Sequence, residues 1–131
     1  MNFVNCSIGE HEGQLFLTGD GLQVKLPPKS KAVLSEAGSS ENSSMVLGIR
    51  PEDISERRLY ESAADDNVIR ARVDFLEPLG SEVLATCSLA GREIIVRLNP
   101  RTSARANEMI ELVFDMERAK LFDPTTGEAL L

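Results

Sequence analysis

Apolar residues in this chain recur in short period-two runs bounded by glycine turns, and almost nowhere at helical spacing. Leu15 and Leu17 make one run and Leu22, Val24 and Leu26 the next, with Thr18-Gly19-Asp20-Gly21 between them. Glycine and aspartate there supply the positive φ of a tight hairpin. The compact apolar run Met45 to Ile49 has the length of a buried strand. Between Val68 and Leu76, Ile69, Ala71, Val73 and Phe75 alternate with Arg70, Arg72 and Asp74, so Phe75 is expected in the core, as is Phe114. Glu82 to Leu89 and Arg92 to Leu98 read as two strands joined at Ala90-Gly91. Met109 to Phe114 and Ala119 to Phe122 complete the series. Short strands at this spacing predict an all-β barrel or sandwich.

Helix signals are brief. Pro51-Glu52-Asp53 fits a first helical turn, with proline at its start and acidic side chains at the positive end of the helix dipole. Single turns are also expected at Ser30 to Ala37, Leu59 to Ala64 and Arg101 to Asn107. Pro27 to Ser44, with two prolines, six serines and one glycine, reads as a surface loop, as does Ser55 to Asn67. No internal repeat or heptad is visible, so residues 1–131 read as one unit, a length that suits a single core.

Charge narrows the function classes. The formal net charge is −7, which disfavours a nucleic-acid backbone or an anionic membrane surface as partner, since both are held by clustered lysine and arginine. No run approaches the roughly 20 apolar residues of a membrane span, and no basic segment followed by an apolar one opens the chain. Cys6 and Cys87 are too far apart for a CxxC redox or zinc motif, and without a secretion signal two reduced thiols are expected. Cys87 alternates with Ala85 and Leu89 and should share their face.

Catalytic constellations are missing from the sequence. It contains no GxxxxGK[ST], GxGxxG or GxSxG. The one histidine, His11, stands between glutamates in a polar turn, where a triad or metal role lacks support. Glu52, Asp53, Glu77, Glu82, Asp115, Glu117 and Asp123 could formally supply an acid–base pair. The absence of tryptophan and the single tyrosine argue against sugar stacking. No catalytic, cofactor or metal residue is assigned.

Several segments resemble a known family in order and spacing. Met1-Asn2-Phe3-Val4 opens the chain, and Leu47-Gly48-Ile49-Arg50-Pro51-Glu52-Asp53 follows the serine-rich loop. Then come Val73-Asp74-Phe75-Leu76-Glu77-Pro78-Leu79-Gly80-Ser81-Glu82, Gly91-Arg92-Glu93 and Phe114-Asp115. The last is Leu121-Phe122-Asp123-Pro124-Thr125-Thr126-Gly127. Together they resemble the C-terminal regulatory domain of the ATP-binding subunit of maltose-type carbohydrate ABC importers, a transport-associated oligobinding (TOBE) domain. The loop Pro27 to Ser44 is longer and richer in serine than the family pattern, and Ser55 to Asp66 is individual.

The resemblance implies an all-β, OB-like Greek-key barrel with short helical turns and long loops. It implies that residues 1–131 are one TOBE/OB-like regulatory domain cut from a longer subunit. ATP and Mg would bind the preceding ATPase domain, so this chain would need no cofactor and would not hydrolyse ATP. Implied partners are a second copy in a homodimer, the parent ATPase domain and the transmembrane permease subunits. A regulatory protein is a further one, and neither nucleic acid nor direct membrane insertion is implied. The implied location is cytoplasmic, peripheral on the inner face of the cell membrane. The alternative is a stand-alone module of the same fold that binds a small oxyanion or a sugar.

The matching motifs also have a local reading. A residue before proline is held extended, so Arg50 can reach a carboxylate, with Glu77 or Glu82 as candidates. Pro78-Leu79-Gly80 ends or bulges a strand, and Asp123-Pro124-Thr125-Thr126-Gly127 carries turn chemistry. Beyond this architectural use, Arg50, Glu52, Glu77, Gly80, Ser81 and Glu82 are the candidates to border a dimer seam or a ligand cleft.

Overall fold

The first strand precedes any expected from the sequence. In the computed structural model, which describes residues 1–19, 21–59 and 67–131, β1 spans Asn2–His11. Val4, Cys6 and Ile8 alternate inward there between exposed or half-buried neighbours, a period-two pattern diluted by small and polar residues. The other strands are β2 (Gln14–Gly19), β3 (Leu22–Lys25), β4 (Ser44–Ile49), β5 (Ile54–Glu56) and β6 (Val68–Pro78). They continue with β7 (Val83–Leu89), β8 (Arg92–Leu98), β9 (Met109–Phe114) and β10 (Lys120–Phe122). One short helix, α1 (Ser30–Glu36), lies where the sequence predicts a turn, and Pro51–Asp53 and Arg57–Leu59 form 3-10 turns.

Every pairing among the described residues is antiparallel. The first sheet runs β10-β4-β1-β2-β3 and the second β5-β9-β6-β7-β8. Within each, three meandering strands are followed by a fourth that returns beside the first, which is a Greek key. The edges β5 and β8 of the second sheet lie against one another, curling it into an OB-like barrel. The buried faces of both sheets share one contiguous core.

The chain is internally repeated, contrary to the sequence reading. β1–β4 and β6–β9 have the same layout, and the fifth strand of each set crosses to the other sheet: β5 pairs with β9, and β10 with β4. The match extends to single atoms. The Asn42 N–H bonds the Ile8 carbonyl at 2.8 Å and the Ile8 N–H the Ser43 carbonyl at 3.0 Å. In the second half Asn107, Val73 and Glu108 repeat the pattern at 2.6 and 2.9 Å. Asn42 and Asn107 both sit at φ 70°, a left-handed conformation that asparagine tolerates. Few side chains are identical between the halves, which is why the repeat is hidden from the sequence.

Two asparagines fasten the halves together. The buried carboxamide of Asn2 donates to the Ile95 carbonyl at 2.7 Å and accepts the Ile95 N–H at 2.8 Å. Ile95 lies on β8, which has a strand partner in its sheet order on one side only. The carboxamide stands in for the missing strand. At the matching place in the second half, Asn67 accepts the Lys25 N–H of β3, the edge of the first sheet, at 3.0 Å.

Turns obey the expected chemistry. Ala90 (φ 55°) and Gly91 (φ 74°) close the β7–β8 hairpin with two positive φ values, the primed geometry that matches strand twist. Asp123 accepts the N–H groups of Thr125 and Thr126 at 2.7 and 3.1 Å, and the Gly127 N–H returns to the Asp123 carbonyl at 2.8 Å.

Four expectations need correction or a boundary. The expected loop Ser55 to Asn67 instead opens with the end of β5, where Ile54 and Glu56 are buried, and the 3-10 turn Arg57–Leu59. The register of β6 against β7 shifts between Val73 and Phe75, so Asp74 is a bulge residue that rotates the strand beyond it. Phe75 is therefore 60% exposed rather than in the core, and Leu76 packs inward in its place; Phe114 is buried as expected. Residues 101–107 form no helical turn, because side chains take the amides a helix would use. Asn99 accepts the Arg101 N–H and Thr102 accepts the Ala104 N–H. The turn expected at Leu59 to Ala64 lies, beyond Leu59, outside the described residues.

The packing makes two outcomes measurable. Asn2→Ala leaves the Ile95 N–H and carbonyl unpaired at a buried seam, and should cost about 1–3 kcal/mol in urea unfolding. Asn67→Ala should cost less, since one bond is lost rather than two. Burial raises the Cys6 and Cys87 thiols to about 11, with the Asp74 charge adding to the effect at Cys87. Since the thiolate is the nucleophile, neither should react with a maleimide at neutral pH until the chain is unfolded.

Candidate functional site

The two crossovers that carry β5 and β10 to their distant sheets meet in a cleft. Ile49 ends β4, Arg50 is held extended before proline (φ −80°, ψ 149°), and the 3-10 turn Pro51–Asp53 swings the chain toward β9. In the second half, Asp115 to Ala119 makes the matching passage from β9 to β10. The Asp115 N–H bonds the Asp53 carbonyl at 3.0 Å, joining the passages. A cleft of about 720 Å³ opens between them. Glu52, Asp53, Asp115 and Glu117 line it together with Lys25 and Arg118. Arg118 pairs with Asp115 at 3.5 Å and Lys29 with Glu117 at 3.0 Å. Both pairs are largely exposed and add little to stability.

A second feature is the β6–β7 hairpin, which projects beyond the bulge. Its tip has the local chemistry of a strand reversal: Pro78 ends β6, Gly80 takes φ 89°, and the Leu79 N–H bonds the Glu82 carbonyl at 2.8 Å. Phe75 and Leu79 are 60% and 47% exposed, more apolar surface than a hairpin tip needs for folding. At its base the Ser88 hydroxyl donates to Asp74 and the Arg72 Nε donates to the other carboxylate oxygen at 2.8 Å. The Ser88 bond is the largest influence and holds the Asp74 carboxyl below the usual carboxylate range; burial opposes it, and the bond and charge of Arg72 add smaller lowering effects.

The six residues singled out in the sequence divide between these features. Glu52 lines the cleft, whereas Arg50 is exposed and is not among the residues that line it. Glu77, Gly80 and Ser81 are exposed on the hairpin. Half-buried Glu82 lies 3.7 Å from the Arg97 guanidinium. The brace from Arg50 to Glu77 or Glu82 is not formed: β8 supplies Arg97 instead, and Arg50 makes no ion pair among the described residues. β8 links the two sets, since the 51–53 turn packs on it and its Leu98 pairs with Val83, next to Glu82.

Sequence reasoning overlooked a third feature, a groove beside β5 and β9 of about 900 Å³ where Arg57, Arg58, Arg70 and Arg105 mix with Glu56, Glu108 and Glu111. These arginines are scattered along the chain, and only the fold gathers them. Among the described residues no group of three or more histidine, cysteine, aspartate or glutamate side chains has metal-holding geometry, and no helix is long and apolar enough to cross a membrane. His11 is largely exposed at the end of β1.

Comparison with known proteins agrees with this architecture. A family described as the TOBE domain matches residues 47–122, and one described as the MalK OB fold domain matches residues 1–54. The chain is 31% identical, over 99% of its length, to an ABC transporter ATP-binding protein of Bacillus subtilis, YurJ. It is 30% identical to the trehalose/maltose import ATP-binding protein MalK of Thermococcus litoralis. It is 31% identical to the multiple sugar-binding transport ATP-binding protein MsmK of Streptococcus mutans. In each case the match covers 99% of this chain. The chain spans about a third of the length of these relatives, with shares of 35%, 34% and 33%. The structure is similar to the cytoplasmic molybdate-binding protein ModG in a molybdate-bound form, with TM-score 0.66 over 94% of this chain and 96% of that one. At 13% identity that likeness concerns the fold. Two Greek-key sheets sharing exchanged strands, and a family match over residues 47–122, lead to one conclusion: this chain belongs to the TOBE domain family.

Proposed function

We propose that this chain is the regulatory and dimerisation domain of the ATP-binding subunit of a sugar ABC importer, non-catalytic by itself. The observation that carries the reading is the likeness over 99% of the chain to two sugar-transport ATP-binding proteins. ATP and Mg²⁺ then belong to the remainder of the subunit. The partners are that ATPase domain, the permease subunits and a second copy, on the cytoplasmic face of the membrane.

The mechanism is mechanical. Two copies join through the β6–β7 hairpin, where Phe75 and Leu79 offer apolar surface beside Glu77, Gly80 and Ser81. Burying such side chains favours association at about 25 cal/mol per Å². A contact remote from the nucleotide sites can hold two subunits together while those sites open. A regulatory protein or ligand can alter the cycle only by binding the open and closed arrangements with different affinity.

The test is association of the 131-residue chain. Light scattering at high concentration should show weak self-association. Phe75→Asp together with Leu79→Asp should abolish it while leaving the thermal midpoint nearly unchanged, because both side chains are exposed in the monomer. A strictly monomeric mass at high concentration would defeat dimerisation through this domain.

A further inference from the structure

We infer that the outer face of the first sheet, around Met1, Phe3 and Phe122, is the seat of the ATPase domain of the same subunit, a step that rests on the function proposed above. The register puts Phe3, Asn5 and Ser7 of β1 on that face, with Val46 and Gly48 of β4 and Phe122 of β10. Among the described strand residues that share it, Lys25 and Lys120 are the only lysine, arginine, aspartate or glutamate, and both stand on edge strands. Charged residues make up 27% of the chain, and a sheet face left to water carries polar and charged side chains across its middle. The second half follows that rule. Arg70, Arg72 and Glu111 occupy the positions that match Asn5, Ser7 and Val46. The fold therefore accepts charge at these places, and its absence from the first half has a cause other than folding.

The middle of the face is an apolar platform. Met1 and Phe3 are 48% and 50% exposed. Phe3 meets the half-buried Phe122 edge to face, with 5.9 Å between ring centres. All three lie over Gly48, where a Cβ would come within 2.7 Å of the Phe122 ring and 2.8 Å of the Met1 sulfur. Glycine thus lets them rest flat on the sheet, and exposed apolar side chains gathered in one place mark an interaction surface. The ends of the chain point to the occupant. Met1 belongs to the platform, while Ala129 bridges Phe122 and the Leu130 N–H bonds the Leu121 carbonyl at 2.7 Å. A segment joined at either end therefore starts beside the platform. This chain spans 35%, 34% and 33% of the three relatives described above, so in a subunit of that kind the larger part is tethered here. A short tether gives an effective concentration of about millimolar. A small platform then suffices for a joined domain, whereas a free second copy would need to bury about 800 Å² on each partner.

The experiment compares the 131-residue chain with the full subunit encoded by the same open reading frame. Phe3→Cys, Asn5→Cys and Glu93→Cys are each labelled with a maleimide, and the modified residues are identified by mass spectrometry. Asn5 is exposed at the rim of the platform, so its variant leaves the three apolar side chains in place. Glu93 is exposed on the outer face of the second sheet and serves as the control. Cys6 and Cys87 are buried, and their lack of label reports that each sample is folded. Phe3→Cys and Asn5→Cys should react at least about tenfold more slowly in the full subunit than in the 131-residue chain, since a covered thiol reacts only when the domains part. Glu93→Cys should react equally in both, and the slowing should be the same at low and high protein concentration. Equal labelling of the two platform probes in both proteins would overturn the assignment. Protection that grows with concentration would put a second copy on the platform and overturn it as well. A reading frame without an ATPase domain would defeat the importer reading and this seat together, whereas an ATPase domain beside an unprotected platform defeats the seat alone.

Discussion

Each half of this molecule lends its last strand to the other. The exchange covers the outer side of β4 with β10 and that of β9 with β5, positions where an open strand would present unpaired N–H and carbonyl groups. It also sets the rest of the architecture. Two crossovers must pass each other, so a cleft forms between them and the short segments Pro51–Asp53 and Asp115 to Ala119 become the corners of the fold. The shared core is a further result, since strands from each half contribute buried side chains to the other's sheet.

The seam left after the exchange is polar at two places, and both are asparagine. Asn2 completes the unpaired side of β8 and Asn67 that of β3. A carboxamide carries a donor and an acceptor in one rigid plane, so it can answer an amide and a carbonyl together where a carboxylate, which only accepts, could answer the amide alone. These contacts tie the start of β1 to β8 and the residue before β6 to β3.

Much of the strand content was legible because glycine turns and period-two runs are local signals. Leu22, Val24 and Leu26 or Ile94, Val96 and Leu98 state their buried face outright. What was not legible depends on contacts between distant residues. The bulge at Asp74 inverts Phe75 and Leu76, and no local pattern marks it except the apolar pair itself. β1 hid behind polar neighbours. The repeat hid because its halves conserve geometry, as at Asn42 and Asn107, and not side chains. Among the candidate residues, Glu52 was placed at the cleft, but the partner of Glu82 could not be read, since Arg97 reaches it only through the pairing of β7 with β8. The arginine groove escaped notice because Arg57, Arg58, Arg70 and Arg105 form no motif in sequence order.

The exchange of terminal strands also sets a timetable for synthesis. β4 is finished at Ile49, yet the strand that covers it ends at Phe122. At about 5–20 residues per second, ribosomes leave that edge bare for about 4–15 s. β5, made soon after β4, likewise waits for Phe114 before it has anything to pair with. During that interval the first half is an incomplete sheet with an adhesive border, and its nearest alternative partners are identical nascent chains on the same messenger. The second half meets no such delay, because β5, which covers β9, already exists when β9 emerges.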